Sequence, residues 1–180
     1  MFIMEQKSIF IDKLWKVFCV FVENPMKIHF VKQISREISL APTSVKLYIK
    51  KLEDNGIINQ KKGDRFKGYI ANRESENFIF YKKIVNLINI RESGVVDYIV
   101  REVYPRAVIL YGSFLRGEDV EESDIDIFVL SEKRVNLKFG EYEMKLKRKI
   151  HIIMEDEMKK LGRRLRVDIM NGLVLYGYLQ

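Results

Sequence analysis

The sequence predicts an α+β chain in two parts joined by a helix, and three observations carry that prediction. Residues 8–55 repeat apolar side chains at helical spacing in three segments separated by proline and turn residues. A lysine-rich stretch from Lys61 to Gly68 then separates two short strand-like runs. Beyond Gly94, short apolar runs bounded by glycine, proline or acidic residues alternate with helical segments. The expected layout is an N-terminal domain at 1–74, a linker helix at 75–91 and a C-terminal domain at 92–180.

The first helix is expected over residues 8–22, with Ile11, Leu14, Trp15, Phe18, Phe21 and Val22 on its apolar face and Pro25 ending it. A second fits His29 to Ile38 through Val31, Ile34 and Ile38. His29 itself reads as an ordinary helix-start residue. Pro42 stands at a first helical position, and a third helix runs to Asn55 with Val45, Ile49 and Leu52 inward. Gly56 suits the left-handed residue past a helix end. Ile57 to Gln60 and Tyr69 to Asn72 read as the two strands of a hairpin, with Phe66 near its tip.

Net charge is +7, and it is uneven. Residues 1–75 carry 14 Lys and Arg against 8 Asp and Glu, whereas residues 76–180 carry 18 against 17. The basic excess points to a polyanion as partner of the N-terminal part. The order of three helices and a basic hairpin, with APTSVKLYIKKLEDNGII as third helix and exit, resembles a winged helix-turn-helix domain. The resemblance implies binding to double-stranded DNA. Thr43, Ser44, Lys46 and Lys50 would face the groove, joined by Tyr48 and Lys51, while Lys61, Lys62, Arg65 and Lys67 would neutralise phosphates beside it. Winged helices also serve as dimerisation or docking modules, a reading that stays open.

The linker segment, Glu76 to Ile90, is helical in period, with Phe80, Ile84, Leu87 and Ile88 as its apolar positions. No proline-, glycine- or serine-rich spacer separates the halves, so an ordered connection is expected. Pairing of this helix with its copy would make a homodimer.

In the C-terminal part Val95 to Val103 reads as a helix and Ala107 to Tyr111 as a buried strand. Gly112-Ser113 follows at once, then a turn or short helix from Phe114 to Asp119. Ser123-Asp124 leads into a strand from Ile125 to Leu130. Glu141 to Lys147 suits a helix with Tyr142 and Leu146 inward, Lys149 to Met154 a third strand, and the rest tends toward helix. The run YGSFLRGEDVEESDIDIFVL resembles the signature of the polymerase-beta-like nucleotidyltransferase superfamily in its minimal form, and the tail NGLVLYG resembles the end of minimal members. The resemblance covers roughly residues 92–180. It implies an α/β domain with a small mixed sheet and a cleft over it, and attack on the alpha-phosphate of a nucleoside triphosphate (NTP) with release of pyrophosphate. Minimal members often act beside a toxin-like helical partner.

The residues suit that chemistry on their own terms. Side chains two apart in a strand share a face, so Asp124 and Asp126 point into one cleft. Paired carboxylates repel unless a cation neutralises them, and hard oxygen donors suit Mg²⁺ or Mn²⁺. Gly112 allows a phosphate close to the backbone, Ser113 adds a hydroxyl, Arg116 adds charge and Gly117 permits the following turn. The acidic cluster Glu118, Asp119, Glu121 and Glu122 reads as a solvated loop. Family members generally carry a third carboxylate on the later strand, where this chain has His151. Asp156 or Glu155 is an alternative source of that carboxylate, and Asp168 is expected on the outer face of a helix.

Three function classes follow. One is an enzyme moving a nucleoside monophosphate to an unknown acceptor. The second is a DNA-binding regulator or antitoxin-like protein that binds nucleotide without turnover, and the third has both halves as protein-interaction modules. No run of apolar residues is long enough for a membrane span, and the first residues lack the pattern of a signal peptide, so a cytoplasmic location is expected. Cys19 is the one cysteine, which excludes an intrachain disulfide and a cysteine zinc cluster. Its apolar neighbours make it a core thiol.

Overall fold

Asp12 starts the first helix by accepting a hydrogen bond from the Trp15 N–H at 2.9 Å, which satisfies one of the orphan donors of a helix start. The structure is a computed structural model that describes residues 12–62 and 67–179, and the chain divides into two units between Lys82 and Lys83. Ile11, Arg65 and Phe66 lie outside the described residues, as does the side chain of Lys62.

The N-terminal unit runs α1 (Lys13–Glu23), α2 (Val31–Glu37), α3 (Pro42–Asp54), β1 (Ile58–Lys62) and β2 (Lys67–Ala71). Val17, Phe18, Phe21, Ile34, Val45, Ile49 and Leu52 form its buried interior. Pro42 opens α3 and Gly56 takes a φ of 66° after its end, as the sequence led one to expect. β1 and β2 pair antiparallel from Ile58↔Ala71 to Lys62↔Lys67. His29 is not an ordinary helix-start residue. It is 1% exposed, exchanges backbone hydrogen bonds with Tyr69 at 2.8 Å in both directions, and its ring meets the Phe21 ring edge-on at 5.0 Å. Bridging to β2 removes its backbone from water, so the helix begins two residues later.

Helix α4 (Glu76–Ser93) spans the division between the units. Its buried positions are Phe78, Lys82, Val85, Asn86, Ile90 and Ser93, whereas Phe80 is 57% exposed. Of the apolar positions read from the period, Leu87 packs against the C-terminal core, whereas Phe80 stays outside the buried face. Polar side chains occupy the buried face and hid it from a hydropathy reading.

The C-terminal unit continues with α5 (Val95–Val103), β3 (Ala107–Tyr111), α6 (Gly112–Arg116), β4 (Ile125–Leu130), α7 (Gly140–Leu146), β5 (Ile150–Glu155), a short 3-10 turn (Met158–Lys160), α8 (Arg163–Met170) and β6 (Leu173–Gly177). The sheet order is β5-β4-β3-β6, with β4 and β5 parallel and the other pairs antiparallel, so the sheet is mixed and small. Alternation along the strands splits the core. Val108, Leu110, Ile125, Ile127 and Val129 face a cluster with Ile90, Val95, Ile99, Val103 and Tyr142. Ala107, Ile109, Tyr111, Phe128 and Leu130 face Leu161 and Ile169. Glycine is required at Gly177, where a φ of 71° combines with a Cβ position that would collide with the Arg106 carbonyl. Among the described residues, no helix is long and apolar enough to cross a membrane.

Candidate active site

The strand-to-helix turn at Gly112 fixes the geometry of the site. Gly112 has a φ of 78° and opens α6 directly from the end of β3. A Cβ there would collide with Asp126 Oδ2 and stand 3.1 Å from Asp126 Cγ. The absent side chain is thus what admits the Asp126 carboxylate against the turn. Two demands meet at this residue, a left-handed backbone and a close approach, and only glycine satisfies both. Gly117 closes α6 with a φ of 71°.

Asp126 lies on β4 opposite Tyr111 of β3 and His151 of β5. Its Oδ1 is 3.1 Å from His151 Nδ1, and its side chain is 27% exposed against 57% for the imidazole. Asp124 is exposed, two residues before Asp126 and just ahead of the start of β4. Ser113 is half-buried in α6. Arg116 is exposed and its Nε donates to Glu118 Oε2 at 2.8 Å, so the guanidinium is paired along its own loop.

The loop that delivers Asp124 is anchored in the interior. Asp119 is 1% exposed and accepts from Asn86 Nδ2 at 2.8 Å, the same amide that donates to the Phe114 carbonyl at 2.8 Å. Arg148, its side chain 8% exposed, stands 3.9 Å from the other Asp119 oxygen. Asp119 is therefore not part of a solvated acidic loop. It ties the α6–β4 connection to α4 and to the start of β5, since a buried carboxylate needs such partners.

Glu155 and Asp156 do not replace a third carboxylate. Glu155 pairs with Leu130, four residues along β4 from Asp126, or ~13 Å at a strand's rise per residue. Glu155 is held by Arg134 and Asp156 by Lys160, each at 2.7 Å. The position beside Asp126 on the neighbouring strand belongs to His151.

Three further residues border the site without having been singled out for it. Tyr111 is 5% exposed, and its hydroxyl is pushed up to about 12, first by burial and then by the carboxylates of Asp126 and Asp168. Asp168 is exposed on α8, on the outer helix face expected for it, and its charge is the smallest of the three contributions that raise the Tyr111 hydroxyl. Lys149 pairs with Glu143 at 2.8 Å; this partner and, to a smaller extent, Asp124 raise its ammonium above the ordinary range. The signal for Tyr111 was available in its place directly before Gly112; the other two depend on tertiary packing.

Among the described residues, no three His, Cys, Asp or Glu side chains converge as a group that would hold a metal by themselves. The donor set still fits a cation that is completed by substrate. Asp124 and Asp126 are the hard-oxygen candidates, and Mg²⁺ and Mn²⁺ ordinarily take the remainder of their shell from phosphate and water.

In the N-terminal unit Thr43, Lys46 and Lys50 are exposed on α3, and Ser44 is half-buried. Lys61 and Lys67 are exposed on β1 and β2. Leu47, 54% exposed, shares the outer surface of α3 with these polar residues.

Neither the curated proteins nor the solved structures returned a match to this chain. The family model described as Polymerase beta, Nucleotidyltransferase matches residues 94–174, a segment that runs from just before α5 into β6 and contains Gly112, Asp124, Asp126 and His151.

Proposed function

We propose that the C-terminal unit transfers a nucleoside monophosphate from a nucleoside triphosphate to an acceptor hydroxyl, with Mg²⁺ or Mn²⁺, and that the N-terminal unit binds double-stranded DNA as a winged helix. The observation that carries the first part is the placement of the Asp126 carboxylate against Gly112, within the segment matched by the nucleotidyltransferase family. In this reading Gly112 leaves the backbone open to a phosphate, and the Ser113 hydroxyl contributes a hydrogen bond. Arg116 and Gly117 shape the loop that follows. Asp124 and Asp126 hold the cation, which when bound neutralises charge on the phosphates and polarises the alpha-phosphorus. Catalysis is then mostly positioning and charge neutralisation of an in-line displacement. Exposed Thr43, Lys46, Lys50, Lys61 and Lys67 support the DNA reading, together with the basic excess of residues 1–75.

A second reading is favoured by one observation. His151 occupies the neighbouring position where a third carboxylate would activate the acceptor. On that basis the chain is a DNA-binding regulator, or an antitoxin-like protein beside a toxin-like partner, that binds nucleotide without turning it over. Self-association through α4 suits either reading.

Incubation with alpha-labelled ATP, GTP, CTP and UTP in Mg²⁺ or Mn²⁺ separates the two. Label transfer or pyrophosphate release that Asp126→Asn abolishes establishes the transferase. Nucleotide binding without release establishes the regulator, and no binding of any triphosphate refutes both.

A further inference from the structure

We propose that a hollow at the far end of the C-terminal sheet binds one nucleotide, its base stacked on Tyr104 and its phosphate held by Arg106 and Lys133. The carrying observation is Tyr104 itself. It stands just past α5 with a φ of 53°, and its N–H bonds the Val100 carbonyl at 2.9 Å. Every residue with a Cβ is disfavoured in that left-handed turn, whereas glycine makes the same turn freely. The turn therefore does not account for an aromatic residue. Neither does the core, because Tyr104 is 78% exposed. A bulky side chain on a disfavoured backbone, burying so little, points to a contact outside the chain.

The hollow beside it measures about 260 Å³ and is lined by Val103, Tyr104, Arg106, Ser131, Glu132 and Lys133. Small-molecule sites run ~300–1,000 Å³, so this one has room for a base and its sugar and not for a whole triphosphate. Its walls are preformed. The Arg106 N–H donates to the Leu130 carbonyl and the Ser131 N–H to the Glu155 carbonyl, both at 2.8 Å. Buried Ser131 accepts from the Lys133 N–H at 3.0 Å, and the Arg106 guanidinium donates to the Asp156 carbonyl. Lys133 Nζ stands 5.7 Å from the centroid of the Tyr104 ring and donates to the Glu102 carbonyl at 2.7 Å. Acids around the hollow have cations of their own: Glu102 has Arg101, Glu155 has Arg134 and Asp156 has Lys160. Within the lining, Arg106 and Lys133 stand against the single carboxylate of Glu132, so the hollow is positive. An open aromatic face beside two cations suits a base with its phosphate, and a carboxylate accepts from base N–H groups. Tyr178, 67% exposed, donates its main-chain N–H to the Arg106 carbonyl at 3.3 Å and brings a second ring to this end of the sheet. The hollow lies at the start of β3, whereas Asp126 pairs with Tyr111 at its end, ~13 Å along the strand, so the two sites are distinct.

The test is binding to the full chain in EDTA, which removes metal-dependent triphosphate binding from the measurement. Calorimetry with AMP, GMP, CMP and UMP reads free nucleotide, and anisotropy of fluorescein-labelled oligo(A) and oligo(U) RNA reads a single strand. Tyr104→Gly keeps the turn and removes the ring, so the urea midpoint should hold or rise while affinity falls about ten- to a hundredfold. Tyr104→Phe should bind as the wild type does. Lys133→Ala should abolish the preference for a monophosphate over its nucleoside, and Asp126→Asn should leave binding unchanged. Mononucleotide binding with these responses assigns the hollow to free nucleotide; the same responses confined to the oligonucleotides assign it to a single strand. Absence of binding, or binding indifferent to Tyr104→Gly, overturns the proposal, and its loss on replacing Lys46 and Lys50 instead moves the ligand to the N-terminal unit. A lowered urea midpoint in Tyr104→Gly shows that the ring serves the fold and overturns the proposal as well.

Discussion

Gly112→Ala isolates the contact on which the site depends, because the molecule provides its own control. Gly94 has a φ of 77° against 78° for Gly112, but a Cβ at Gly94 would meet nothing within 4 Å. Alanine at either position has the same left-handed backbone cost, about 1 kcal/mol. At Gly112 alone the new methyl must displace the Asp126 carboxylate, which adds about 1–2 kcal/mol of overpacking. Urea unfolding of the full chain followed by circular dichroism should place Gly94→Ala modestly below the wild type and Gly112→Ala clearly below Gly94→Ala. Triphosphate binding, followed by calorimetry, should survive in Gly94→Ala and be lost in Gly112→Ala. Equal destabilisation by the two substitutions, with nucleotide binding intact in both, would refute the claim that Gly112 and Asp126 share one packed site.

Other consequences are as direct. Asn86→Ala removes the amide that bonds the Phe114 carbonyl and Asp119, and a lost buried hydrogen bond to a charged group should cost about 2–3 kcal/mol, read as a lower urea midpoint. Replacing Lys46, Lys50, Lys61 and Lys67 by alanine should weaken duplex binding without regard to sequence and reduce the logarithmic salt slope by up to ~3–4; an unchanged slope places these lysines outside the interface. Burial pushes the Cys19 thiol up to about 12, so it should resist a thiol reagent at pH 8 in the native protein and react once in denaturant. The raised value has a sign: above the ordinary 9.0 only the unfolded chain ionises, so stability falls as pH rises from 9.0 toward 12.

Much of the C-terminal unit was legible because its signals are local. β3 and β4 are apolar runs with turn residues at both ends, and the family resemblance picked out Gly112, Asp124 and Asp126 at and beside those strands. β6 was not assigned as a strand: it lies at the sheet edge with Leu173, Val174 and Tyr176 exposed between two glycines, so neither burial nor alternation marks it. Asp119 was misread, and Asn86 went unread, for a common reason. Each is polar and buried because the other is there, 33 residues away, and no periodicity encodes a long-range pair. His151 is the opposite case. The family resemblance singled out its position on the third strand, and the parallel register of β4 and β5 puts it beside Asp126.

The division of the chain inside α4 has a practical result. Proteases cut exposed, extended chain, and here the boundary between Lys82 and Lys83 is hydrogen-bonded helix. Limited digestion should not release two tidy halves at that point. A truncation made there takes Phe78 with one fragment and Asn86 and Ile90 with the other, each on half a helix that must now form its own ends. The C-terminal fragment starting at Lys83 would keep the Asn86 amide but only a short, frayed segment to hold it over the Phe114 carbonyl. Expression of that unit by itself should therefore begin upstream of Glu76, with the whole of α4 retained.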